Sequence, residues 1–83
     1  MKTPWRIETV TIVTTKHFGF KYMMRWRWTE EILQDAIRRA YRIEKTGRNK
    51  FELYTRKNGY KKIIVAYEEE RIICISGAQG GRT

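Results

Sequence analysis

The chain has 83 residues, too few for a second hydrophobic core, and its 41% hydrophobic and 33% charged residues are the balance of a folded domain rather than a disordered chain. Eighteen Lys and Arg against nine Asp and Glu leave a net charge of +9. One cysteine excludes an internal disulfide, one cysteine with one histidine argues against a zinc site, and no apolar run reaches the roughly 18 residues of a membrane helix. With no cleavable signal at the N-terminus, the expectation is one cytoplasmic domain over 1–83, without membrane association, metal or cofactor.

From Trp5 to Thr14 the chain is rich in β-branched residues (Ile7, Thr9, Val10, Thr11, Ile12, Val13) and predicts a first strand. Thr14 or Thr15 then caps a short helix over Lys16 to Arg27, which Gly19 weakens. The second helix has the strongest start signal. Thr29 is the cap, Glu30 and Glu31 favour the positive helix end, and Trp28 and Leu33 have the spacing of a hydrophobic staple. Ile32, Leu33, Ala36, Ile37, Ala40 and Tyr41 recur with helical spacing, so this helix is expected to run to Gly47 with Arg42 and Lys45 in its last turns.

Three strands follow. Lys50 to Arg56 sets Phe51 and Leu53 on one face, and Asn58-Gly59 predicts a tight type I′ hairpin into the apolar strand Tyr60 to Tyr67. Glu68-Glu69-Glu70 reads as a charged turn into the last strand, Arg71 to Ser76. The expected fold is α+β, β-α-α-β-β-β, with two helices on one face of a four-stranded, mainly antiparallel sheet. Its core covers about 5–76 and a flexible glycine-rich tail covers 77–83. A long exposed sheet edge would favour a homodimer.

The charge is concentrated. Between Lys16 and Lys62 lie fourteen basic and five acidic residues, which account for the whole net charge. Such a field attracts nucleic acid or an acidic protein segment. A solvated surface of thermophile-like composition is the alternative reading, since Asn and Gln are few.

His17, Lys21 and Arg25 stand at i, i+4 and i+8, within roughly 80° of one helix face, beside the aromatic stripe Phe18, Tyr22 and Trp26. A His that exchanges protons near neutrality and two cations suit phosphodiester chemistry, with His17 as general acid or base and Lys21 and Arg25 on the phosphate. A basic solvated face with an incidental histidine is the competing reading. Arg27, Arg38 and Arg42 add phosphate-capable groups, although Arg38 and Arg42 also complement a helix C-terminus. Lys57, Lys61 and Lys62, beside Tyr54 and Tyr60, form a hairpin patch suited to a single-stranded nucleic acid or to protecting a sheet edge. Ser76 is a further polar candidate, and Cys74 reads as a packed thiol. Glycine-rich phosphate loops, nucleophile elbows and paired-carboxylate sites are absent from the sequence, which argues against kinase, glycosidase and dehydrogenase activities.

The order of these residues carries a resemblance. His17-x-x-x-Lys21-x-x-x-Arg25, followed by Trp28-Thr29-Glu30-Glu31-Ile32 and a meander ending at Ile75-Ser76, resembles a small prokaryotic family of His-x-x-x-Arg domains. That family is grouped with the barnase, colicin-nuclease and RelE-like superfamily of metal-independent ribonucleases, which includes toxins of toxin–antitoxin pairs. Lys21 stands where the family more often has Arg. The resemblance implies RNA as a substrate and an acidic antitoxin-like protein as a partner. A non-enzymatic nucleic-acid-binding or protein-interaction module is the alternative.

Overall fold

The computed structural model describes residues 5–6, 8–56 and 59–79. Its chain forms β1 (Thr11–Thr14), a first helix α1 over 16–26, α2 (Glu30–Arg38), β2 (Arg42–Lys45), β3 (Lys50–Thr55), β4 (Lys61–Glu68) and β5 (Arg71–Gln79). The sheet has five strands in the order β1-β5-β4-β3-β2, antiparallel throughout except that β1 runs parallel to β5. The architecture is α+β as expected, with one more strand than the sequence predicts.

That extra strand replaces the end of the second helix. Thr29 caps α2 by accepting from Ile32 N–H at 3.2 Å, and Trp28 and Leu33 are both buried at its start. The helix nevertheless stops at Arg38, and Tyr41 N–H already donates to Tyr54 C=O at 3.0 Å. Continuing the helix would turn Glu44 onto the apolar face, whereas a strand alternates Ile43 inward with Arg42 and Glu44 outward. Gly47 therefore belongs to the turn between β2 and β3, with Thr46 N–H donating to Lys50 C=O at 2.9 Å.

Smaller differences have local causes. β1 is four residues long, because Val10 N–H and Thr9 N–H both turn back to Arg6 C=O. Trp5 packs edge-on against Phe51, with ring centroids 4.7 Å apart. The β3–β4 connection is longer than a two-residue hairpin: pairing ends at Thr55 opposite Lys61, and Gly59 has φ +100°. Its Lys57 and Asn58 lie outside the described residues. The two-residue turn occurs instead at Glu69-Glu70, both with positive φ, between the paired residues Glu68 and Arg71. β5 runs to Gln79, so Gly77, Ala78 and Gln79 are sheet residues rather than tail, and 80–83 lie outside the described residues.

Both helices cover one face of the sheet. Phe18, Met23, Trp26, Leu33 and Ile37 meet Phe51, Leu53, Ile63, Val65, Ile72 and Cys74 there in a single core. Thr15 locks α1 to the sheet: its hydroxyl donates to Cys74 C=O at 3.0 Å and accepts from Phe18 N–H at 3.1 Å. No helix among the described residues is long and apolar enough to cross a membrane.

Candidate functional site

The helix that carries His17, Lys21 and Arg25 is not a regular α-helix. Turns Lys16–Phe18 and Met24–Trp26 flank a π-helical stretch, Gly19–Met23, and Met24 N–H reaches Gly19 C=O five residues back. A regular helix drifts about 40° with every four residues, and a wider turn reduces that drift. The aromatic stripe shows the effect. Phe18 and Tyr22 stand 5.5 Å apart, Tyr22 and Trp26 5.6 Å, and Phe18 still reaches Trp26 at 6.0 Å. Phe18 and Trp26 are buried, which leaves His17, Lys21 and Arg25 exposed along the neighbouring line.

Tyr22 is the hub of the cluster. Its phenol oxygen lies 3.1 Å from Ser76 Oγ on β5, its ring stands 6.0 Å from the His17 ring, and Lys21 Nζ lies 5.5 Å from its centroid. The hydrogen bond with Ser76 holds the phenol below its ordinary pKa, against the opposing effect of burial, and the Lys21 charge and Gly77 N–H reinforce it. This arrangement becomes available because β1 ends at Thr14 opposite Cys74, and beyond that point the outer edge of β5 has no strand partner among the described residues. Gly77 lets the helix approach this edge: a Cβ there would stand 2.8 Å from the Trp26 ring and 3.0 Å from Lys62 C=O. The cluster thus joins an exposed imidazole, an ammonium, a phenol and a hydroxyl, a set that can exchange protons and offset negative charge.

The other sequence candidates do not converge on it. Arg25 is exposed in the last turn of α1. Arg27 closes that helix with φ +59°, also exposed. Arg38 is half-buried in the last turn of α2. Arg42 sits on β2, at the opposite edge of the sheet from β1, where it pairs with Glu44 and lies 5.5 Å from the Tyr54 ring. Lys62 lies 3.7 Å from the Glu52 carboxylate. Lys57 is outside the described residues.

Lys61 corrects an expectation outright. Read as a surface phosphate contact, it is only 3% exposed, with its ammonium 5.5 Å from both the Trp26 and Trp28 rings. Burial pulls its pKa below the usual lysine value. On β4 it alternates with Ile63 and Val65 toward the helices, and the two tryptophan faces receive the charge.

Tyr22 is a candidate site residue that the sequence alone does not single out. It was visible only as the middle of an aromatic stripe, and nothing local announces that Ser76, 54 positions later, faces it. Among the described residues no three His, Cys, Asp or Glu side chains gather as a metal-binding group. Comparison with family models, with curated proteins and with solved structures finds no match.

Proposed function

We propose that this domain is a metal-independent endoribonuclease, of the kind that serves as the toxin of a toxin–antitoxin pair. The observation that carries the reading is the Tyr22–Ser76 hydrogen bond, formed beside Lys21 and the exposed His17 at an open sheet edge. RNA suits such a cluster because it brings its own nucleophile. His17 takes the proton of the 2′-hydroxyl as that oxygen attacks phosphorus. The P–O5′ bond then breaks to give a 2′,3′-cyclic phosphate, and the departing 5′-oxygen receives a proton from Tyr22 or from His17 acting in return. Lys21 offsets the charge that accumulates on the phosphoryl oxygens, and Arg25, a turn further along the same exposed line, holds a neighbouring phosphate of the RNA. The sequence resemblance to His-x-x-x-Arg domains supports the same reading, and a +9 chain suits both RNA and an acidic antitoxin-like protein as partners.

Cleavage of a structured RNA in excess EDTA tests it, with wild type, His17→Ala, Tyr22→Phe and Arg25→Ala compared and the product ends analysed. Loss of an acid–base group should slow cleavage by roughly 10² to 10⁴ and leave cyclic phosphate termini in what remains. No cleavage by wild type, or equal cleavage by all four proteins, would overturn the assignment. RNA binding without cleavage would then point to the non-enzymatic alternative.

A further inference from the structure

The sheet has a second face. Residues paired across strands share a face, so Val13 lies beside Ile73, Ile73 beside Ala66, and Ile64 beside Glu52, all opposite the side on which the helices pack. Val13, Ile64, Ala66 and Ile73 are half-buried, and they belong neither to the core cluster nor to the partly buried side chains packed against it. No helix among the described residues lies over this face.

The sequence of the central strands conflicts with a face left in water. A half-solvated strand alternates apolar with polar residues, whereas strands covered on both sides are continuously apolar. β4 reads Ile63-Ile64-Val65-Ala66 and β5 reads Ile72-Ile73-Cys74-Ile75, the pattern of double coverage, yet the described residues supply a cover on one side.

The charge around the patch says what kind of surface can meet it. The strand register puts Arg42, Lys50, Lys62 and Arg71 on this face together with Glu44, Glu52 and Glu68, four cations against three carboxylates. Lys62 and Glu52 lie 3.7 Å apart, Arg42 pairs with Glu44, and the Tyr54 hydroxyl donates to Glu52 at 2.7 Å. In a chain of net charge +9 the open face therefore carries almost none of the excess. Polyanions are drawn to the surplus charge elsewhere, and two copies approaching through other surfaces repel each other. Through this face that repulsion is weakest.

We infer that the open sheet face is a self-association surface, on which a second copy of this chain stacks sheet against sheet about a two-fold axis. Five strands about 4.8 Å apart and about six residues long give a face on the order of 24 by 20 Å, so two such faces remove on the order of 1,000 Å² from water. That is the lower bound for a specific interface. Sheets packed this way sit about 10 Å apart with strands crossing near 30°, which lets Ile64 and Ile73 of each copy interdigitate with those of the other. The inference does not depend on ribonuclease activity, because His17, Lys21 and Tyr22 lie on the helix-covered side of the sheet.

Sedimentation equilibrium of nuclease-treated protein over a range of concentrations tests the inference, for wild type, Ile64→Lys, Ile73→Lys and the control Phe20→Lys, which alters an apolar side chain already 71% exposed on α1. Wild type and Phe20→Lys should reach dimer mass, and raising the salt should leave their association intact or strengthen it. Each isoleucine substitution should weaken association at least about tenfold with an unchanged far-UV spectrum. As a check that needs no variant, the concentration-dependent amide shifts of wild type should map to Val13, Ile64, Ala66 and Ile73. A wild type that stays monomeric throughout, or shifts that map to α1, would overturn the inference.

Discussion

Arg27 offers a test in which stability and binding are expected to move in opposite directions. It ends α1 in the left-handed region at φ +59°, where Arg27 N–H bonds to Met24 C=O at 3.2 Å and Trp28 N–H to Met23 C=O at 2.9 Å. These are the two bonds of a Schellman cap, whose left-handed position favours glycine. An L-residue there suffers a clash of roughly 1–2 kcal/mol between its Cβ and the following carbonyl, while glycine adds about 0.5–1 kcal/mol of unfolded-state entropy. Arg27→Gly should therefore stabilise the fold by about 0.5–1 kcal/mol, raising Tm by roughly 2–8 °C for a domain of this size. Arg27→Ala keeps the Cβ and should show no such gain. Both variants remove one cation, so on an RNA oligonucleotide each should weaken binding and reduce the slope of log K against log salt by about 0.7. Denaturant melts and a salt titration of binding provide the two readouts. Equal stability of the Gly and Ala variants would refute the backbone argument, and an unchanged salt slope would remove Arg27 from the contact surface.

Three further outcomes follow from the geometry. Glu70→Gly should stabilise the protein by about 1 kcal/mol in urea unfolding, because both residues of the Glu69-Glu70 turn have positive φ, and a decrease would contradict that account. Gly77→Ala should cost about 1–3 kcal/mol, since the new methyl meets Trp26 at 2.8 Å and the Lys62 carbonyl at 3.0 Å; thermal melts measure the loss, and an unchanged Tm would argue against the close approach. Burial pushes the Cys74 thiol up to about 12, above its ordinary value of 9.0, so the native state holds the proton more tightly than the unfolded state. Its contribution to stability is complete below about pH 9 and declines between pH 9 and 12. Cys74→Ala should flatten that alkaline decline, and native wild type should resist thiol reagents at pH 8 until denaturant is added.

What the sequence made legible was local. The Thr29 cap with Trp28 and Leu33, and the alternating Phe51 and Leu53, depend on neighbours within a few positions, and the structure contains them. The missed strand at Arg42–Lys45 arose from a real ambiguity. Ala40 and Tyr41 extend the helical stripe, while Tyr41 and Ile43 begin an alternating one, and only pairing with β3 decides between them. The burial of Lys61 is not legible in the sequence, because a lysine that opens a strand beside a turn and a second lysine is ordinarily exposed. Here two tryptophans, one ending α1 and one preceding α2, hold their rings 5.5 Å from its ammonium. At the candidate site the helical spacing of His17, Lys21 and Arg25 was readable, but the Tyr22–Ser76 contact depends on where α1 docks against β5.

The parallel pairing of β1 with β5 sets the order in which the candidate site is built during folding. The meander β3–β4–β5 closes through short connections, whereas β1 pairs only with a strand that begins 57 positions beyond Thr14. Closing a long loop is entropically costly before any contact rewards it, so the meander is favoured to nucleate and β1 to dock late. Thr15 ties α1 to Cys74 at the end of that late contact, and the Tyr22–Ser76 bond forms only once the helix is seated. On this argument the cluster proposed to cleave RNA is expected to assemble late, after the meander has formed. Folding φ-values near zero at Thr11 to Thr14 and high values in β4 would be its kinetic signature.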